Sequence, residues 1–211
     1  MPVATFDEIV TTLERLREIL EEPSSPNVRH KTIDSINSAA KRFIGASPFV
    51  VIATVGKDGL VDVSPKGDPA GFVEILDEHT LVIPDRLGNH RLDTFENLMT
   101  NQAVGLIFIV PGKTETLRVA GKGRVVLDKA VQDRHAVNGK RPVLALVVDV
   151  EQAFMHCSKS FVRARMWNSG LWPNLTNVPT LAEWVKSTVQ PAYSVDELQE
   201  IHDGDAHNRL Y

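Results

Sequence analysis

Residues Gly59 to Leu98 read GLVDVSPKGDPAGFVEILDEHTLVIPDRLGNHRLDTFENL. Three short apolar runs are separated here by two polar loops, and each loop carries cations. Leu60 to Val63 alternates in the manner of a half-buried strand, and Ser64-Pro65-Lys66-Gly67-Asp68 follows it as the first loop. Thr80-Leu81-Val82-Ile83 is a second strand, followed by the loop Asp85-Arg86-Leu87-Gly88-Asn89-His90-Arg91 and a helix over Arg91 to Thr100. A loop that leaves a strand, turns at glycine and opens a helix presents unpaired N–H groups and the positive end of a dipole. Arg86 and Arg91 beside that terminus supply the forked donors that suit a phosphate. The plainer alternative is that Lys66 and Asp68 decorate a turn, and that Arg91 pairs with Asp93 or Glu96 on its own helix. Two cationic loops, each following an apolar strand, favour a phosphorylated ligand.

Working outward, Phe49 to Val55 is rich in β-formers, and Gly56-Lys57-Asp58-Gly59 turns it into the next strand as a hairpin. Further strands are expected over 72–76 and 80–83. Ala103 to Val110 is apolar throughout and is expected to be buried on both faces. Glu115 to Asp128 alternates, with Leu117, Val119 and Val125 on one face and Arg118, Lys122 and Arg124 on the other. Lys129 to Arg141 is a short helix or loop, and Val143 to Phe154 is the last long strand.

Upstream, Phe6, Ile9, Val10, Leu13, Leu16, Ile19 and Leu20 recur at spacings of three and four, which predicts an amphipathic helix over 5–22. Thr5 and Glu8 would form its capping box, and Pro23-Ser24-Ser25-Pro26 would stop it. A second helix is expected over Val28 to Ile44, with Ile33, Ile36, Ala40, Phe43 and Ile44 inward and its basic residues in water. Downstream, Ser158 to Trp167 reads as a short helix with Ser158 at its cap. Helices over Leu181 to Lys186 and from Ser194 onward follow. Mostly antiparallel strands, one inserted helix and flanking helices indicate a small β-barrel with helical decoration.

The 211 residues are 43% hydrophobic and 24% charged, with a net charge of −4. That is enough apolar material for a core, and the slight acidity argues against a general nucleic-acid binder. A single cysteine, Cys157, excludes an internal disulfide and a multi-thiolate metal site. The histidines lack metal-ligand spacing, and no nucleotide-loop, zinc-protease or hydrolase motif occurs. No run approaches the roughly 18–20 apolar residues of a membrane helix, and the N-terminal segment has no apolar signal region. The expected address is the cytoplasm.

The ordered set Ser64-Pro65-Lys66-Gly67-Asp68-Pro69, Ile83-Pro84-Asp85-Arg86-x-Gly88-Asn89-x-Arg91, Asn97-Leu98 and Glu115-Thr116-Leu117-Arg118-Val119 resembles the pyridoxamine 5'-phosphate oxidase-like FMN-binding proteins. So does the later His156-Cys157-Ser158-Lys159-Ser160-Phe161-Val162-Arg163-x-x-x-Trp167. The resemblance implies a six-stranded antiparallel split β-barrel over 46–167, a helical extension over 1–45 and a loop and helical tail over 168–211. It also implies a homodimer with two FMN sites at the interface. Arg86, Asn89 and Arg91 would hold the FMN phosphate, with Lys66 near the phosphate or ribityl chain. Val63, Ser64, Ile83 and Pro84 would lie along the isoalloxazine, and Lys159, Arg163 and Trp167 would come from the partner subunit. The substrate-phosphate residues of the oxidases themselves find no match here, so vitamin B6 oxidation is not expected. The function implied is FMN-dependent oxidoreduction with a reduced nicotinamide or small organic substrate, with no catalytic side chain singled out. The alternatives are a non-catalytic flavin or stress-related binder, and a deazaflavin or haem protein on the same fold. Haem would need His90 or His156 as its axial ligand.

Overall fold

The computed structural model describes residues 5–23, 25 and 27–211, and the chain divides into two compact units, 1–32 and 33–211. The first unit contains α1 (Leu13–Ile19) and α2 (Asn27–His30). The expected long first helix is only its second half. Thr12, not Thr5, is the cap, its hydroxyl accepting from the Arg15 N–H at 3.2 Å. Glu8 is drawn instead into an ion pair with Arg15 (2.8 Å), so the capping box centred on Thr5 does not form. Ser24 and Pro26, part of the expected stop signal, lie outside the described residues.

The second unit opens with α3 (Ser38–Ala46) and continues through β1 (Phe49–Val55), β2 (Val61–Gly67), β3 (Glu74–Asp77), β4 (Thr80–Pro84) and α4 (Asp93–Thr100). Then come β5 (Ala103–Ile109), β6 (Thr116–Val126), α5 (Lys129–Arg134), β7 (Ala145–His156) and α6 (Lys159–Ala164). Two 3-10 turns lead to α7 (Leu181–Val189) and α8 (Val195–Asn208), both opened by capping boxes on Thr180 and Ser194. The helix expected over 28–44 is broken in the middle. Ile33 pairs its backbone with Ala153 of β7 (3.0 and 2.7 Å), and the Asn37 side chain accepts from the N–H groups of Ala39 and Ala40 to start α3 afresh. A side chain that competes for backbone donors in this way resets a helix. Ile36, Ala40 and Ile44 still face the core as the periodicity requires.

The sheet order is β2-β1-β5-β6-β7-β4-β3, every pair antiparallel. It has seven strands rather than six because the short β3 adds to the end beside β4. With its flanking helices this is the mainly β, antiparallel split-barrel architecture. The long β6 and β7 carry the sheet from one lobe to the other, with a bulge between Ala120 and Gly121. Bulges bend and twist a strand, and here the bend needs glycine: a Cβ on Gly121 would collide with the Asp149 carbonyl. The core gathers Val50, Ile52, Leu81, Leu106, Phe108, Leu117, Val119, Leu146 and Val148 with the inner face of α3.

Two readings are corrected by the sheet. Ser64 to Gly67 is strand, not loop: β2 runs through to Gly67 and pairs Pro65 with Val51. Proline is tolerated because β2 is an edge strand, where a missing donor breaks no ladder bond. β5 alternates between buried and half-buried positions instead of being buried on both faces, because its outward side stays partly open to solvent among the described residues.

Candidate functional site

Strand alternation builds one wall of the site. Asp62, Ser64 and Lys66 fall on the inner side of β2, while Val61, Val63 and Pro65 face out. The end strand β2 curls toward the end of β4, so that Lys66 Nζ lies 3.5 Å from Asp85 and Asp68 meets Arg86 at 2.5 Å. The segment from Asp85 into α4 supplies a second wall, and Lys140 to Leu144 with Tyr211 a third. Together they enclose a cavity of about 890 Å3, within the roughly 300–1,000 Å3 typical of small-molecule sites.

The 85–92 segment is shaped by its own side chains. Asn89 Oδ1 accepts from the Arg91 N–H at 3.1 Å. His90 and Leu92, neither of them glycine, sit in the left-handed region with φ of 58° and 62°. Such residues cost of order 1 kcal/mol or more and persist where the surroundings fix them. Leu92 occupies the cap position of α4 and offers no side-chain cap, so the first N–H groups of the helix have no capping side chain.

The lining carries five cations (Lys66, Arg86, Arg91, Lys140, Arg141) against three carboxylates (Asp62, Asp85, Asp93), an excess of two positive charges. Arg86 is locked: its Nε donates to Asp68, Nη1 donates to the His135 carbonyl at 2.7 Å, and the Tyr211 ring lies 5.4 Å from its guanidinium carbon. Its Nη2 donors have no partner among the described residues and are fixed in direction. Arg91 is the opposite case, 72% exposed and, among the described residues, paired only with Asp93 at 2.7 Å. That hydrogen bond, then the charge of Asp93 and more weakly that of Asp62, holds the Arg91 guanidinium above its ordinary pKa. It is a cation at any working pH. Tyr211 donates its hydroxyl to Asp68 at 2.5 Å; this bond, burial and the carboxylate charge push the phenol up, and Arg86 opposes them.

Of the residues singled out in the sequence, Ser64, Lys66, Arg86, Asn89 and Arg91 meet at this cavity. Ile83 and Pro84 are buried in β4 behind it, and Val63 is 60% exposed on the other side of β2. Lys159 and Arg163 are exposed on α6. Trp167 packs on Phe161, donates to the Lys113 carbonyl at 2.6 Å and lines a separate shallow pocket. Ser158 precedes α6 without a side-chain capping bond. Asp62, Thr94, Lys140, Arg141 and Tyr211 were not singled out. Asp62 alone had a sequence signal, since it shares a strand face with Ser64 and Lys66. Among the described residues no three His, Cys, Asp or Glu side chains gather as a metal site, and no helix is long and apolar enough to cross a membrane.

A split barrel with a cationic cavity at the mouth of its sheet defines the class of molecule. More particularly, the profile of the family described as "Pyridoxamine 5'-phosphate oxidase" matches residues 36–157, and the chain belongs to that family. Solved structures with similar folds include HupZ of Group A Streptococcus, at 18% identity over 57% of this chain and 93% of that one, TM-score 0.48. A Clostridium acetobutylicum protein related to general stress protein 26 of B. subtilis (pyridoxinephosphate oxidase family) aligns at 17% identity over 56% of this chain and 85% of that one, TM-score 0.41. An F420 reductase aligns at 18% identity over 55% of this chain and 94% of that one, TM-score 0.40. Among curated proteins no match was found.

Proposed function

We propose that the chain is an FMN-binding oxidoreductase whose cavity anchors the cofactor by its phosphate. The observation that carries this is the convergence of Lys66, Arg86, Asn89 and Arg91 on one cavity at the start of α4. The donor set fits the group: a dianion meets an excess of two positive charges, a pre-oriented guanidinium and an uncapped helix start. When bound, the flavin supplies the ring that takes and gives hydride. Arg86, fixed by Asp68, sets the position of the phosphate. Arg91, exposed at the start of α4, would add a second cation, and Lys66 would neutralise charge from the β2 side.

The outward face of β1 and β2 favours a dimer as the working unit. Val61 and Val63 stand exposed there beside Pro65 and the partly exposed Phe49. A contiguous apolar face of this kind calls for a partner, and a second copy of the chain would also bring α6 with Lys159, Arg163 and Trp167 toward the cofactor. Val63→Glu is expected to turn the dimer into a monomer by sedimentation; a wild-type monomer would end this part of the proposal.

The main test is spectroscopic. Protein purified in the presence of FMN is expected to carry flavin absorbance and to oxidise NADH or NADPH above background. Arg91→Ala is expected to weaken FMN binding roughly ten- to a hundredfold, the size of a lost charged hydrogen bond, while leaving the unfolding midpoint unchanged. Wild-type affinity in that variant removes Arg91 from the site. A flavin-loaded protein without turnover would make the chain a flavin binder instead.

A further inference from the structure

The stretch 152–182 contains no Asp or Glu, while Lys159, Arg163 and Arg165 fall within it. It also leaves Val162, Met166, Leu171, Trp172, Leu175 and Val178 between 50% and 69% exposed. α6 and the first 3-10 turn shape part of this surface into a shallow groove of about 560 Å3, whose walls include Val162, Met166 and Leu171. Phe161 and Trp167, with ring centroids 5.7 Å apart, line it as well. Arg165, which ends α6 in the left-handed region (φ 50°), stands in the lining, and the Trp167 indole ties the groove to Lys113 through that residue's carbonyl. Glu115, beside the lining residue Thr114, is a single carboxylate against these four cations. An apolar groove set in a positive field suits an amphipathic helix with acidic flanks.

The chain carries such a helix. Residues 5–22 hold six carboxylates against two arginines, which is the whole of the net charge of −4. Both arginines are engaged inside the segment, Arg15 with Glu8 and Glu18 and Arg17 with Glu22. Its apolar residues lack cover among the described residues: α1 buries no side chain, and Phe6, Ile9, Leu13, Leu16, Ile19 and Leu20 are all exposed. The seven helical residues of α1 are too few to persist in water by themselves, where roughly 12–15 are needed. A surface that covers the apolar stripe is the missing support. Ile9, Leu13, Leu16 and Leu20, at spacings of four, three and four, match the anchors of a groove-binding helix. We propose that the groove beside α6 receives the acidic amphipathic segment 5–22 of a second copy, so that paired chains exchange these segments. Identical copies make the exchange reciprocal, each groove taking the other chain's segment. The exchange goes beyond the flavin reading and stands without it.

Energy transfer between copies tests this in the full-length chain. One population carries an acceptor dye on Cys157, the single cysteine, which is exposed just before α6. The other carries the donor dye on a chain with Cys157→Ser and Thr11→Cys. Mixing the two is expected to give transfer that falls when unlabelled wild type is added and when salt is raised. Leu16→Asp in the donor population should weaken the association roughly ten- to a hundredfold, the loss of one buried leucine. Arg165→Glu in the acceptor population should weaken it too, and Glu14→Lys with Glu21→Lys in the donor population should recover part of that loss. Transfer that Leu16→Asp leaves unchanged would come from another interface and overturn the proposal. So would transfer confined to doubly labelled single chains, which places the segment on its own chain. Absence of transfer, with the protein binding anionic lipid vesicles instead, would make the groove a membrane contact and overturn it as well.

Discussion

Removing the Asp68 carboxylate tests whether Arg86 is held in place by a buried ion pair. The Asp68 side chain is 2% exposed and that of Arg86 17%, with Nε and Oδ2 at 2.5 Å. At an effective dielectric near 20, charges that close attract by roughly 7 kcal/mol before the cost of desolvating them. Most of that is offset by burial, but deleting one member strands the other charge, which typically costs about 3–5 kcal/mol. Asp68→Ala also strips the Tyr211 hydroxyl of its acceptor, adding about 1 kcal/mol. We expect a loss of about 4–6 kcal/mol in urea unfolding, or roughly 8–24 °C in Tm for a chain of this size. Because the pair acts as a unit, Arg86→Ala should cost nearly as much, and the double variant far less than the sum of the two. Both single variants should weaken FMN binding as well, in contrast to Arg91→Ala, which leaves stability alone. A loss below about 1 kcal/mol for Asp68→Ala, or strict additivity in the cycle, would refute the view that Arg86 is pre-oriented by this contact.

Two further predictions concern the frame around the cavity. Gly121→Ala drives a methyl into the Asp149 carbonyl at the β6–β7 bulge and is expected to cost at least ~3 kcal/mol in denaturant unfolding. Gly45→Ala in α3 meets open space and should stabilise by ~0.5–1 kcal/mol; similar effects at the two sites would contradict the packing described. Burial pushes Glu74 up, but hydrogen bonds from Arg134 (2.8 Å) and His135 (2.9 Å), followed by their charges, hold its carboxyl below the ordinary value. A depressed carboxyl adds stability above the unfolded-state pKa of ~4.3 and loses it as pH falls through the lower folded value. The stability gap between wild type and Glu74→Gln should therefore be full near pH 6 and shrink below about pH 4; a gap that stays constant or widens in acid would overturn it.

The strands were legible because a period of two survives whatever packs on it. β1, β4 and β6 fall where the apolar runs put them, and the outward position of Arg118, Lys122 and Arg124 follows from alternation alone. The first helices were not legible to the same degree. Their periodicity is real, but Glu8 prefers Arg15 and Asn37 prefers the amides of α3, and such local hydrogen bonds decide where a helix starts. The seven-residue β2 was misread at its end because proline and glycine signal a turn unless the strand is known to be an edge, which only the sheet order reveals.

The site divides along the same line. Lys66, Arg86 and Arg91, unlike Lys140 and Arg141, were visible one at a time, since polar loops after apolar strands advertise their donors in sequence. Their partners were not, because partner choice depends on distances that only the curl of the sheet sets. Asp68 is 18 residues from Arg86 and 143 from Tyr211, yet all three meet. Hence two arginines that look equivalent in the loop have different physical roles. Arg86 lies where β2 and β4 converge and is bound into the frame, whereas Arg91 stands beyond them, held by its neighbour Asp93. The half-buried Arg86 can fix where an anion sits, whereas the exposed Arg91 adds charge without fixing a position. A cavity that uses both needs the carboxylate of Asp68 outside its lining, so the residue that organises the cation site is one no ligand would touch.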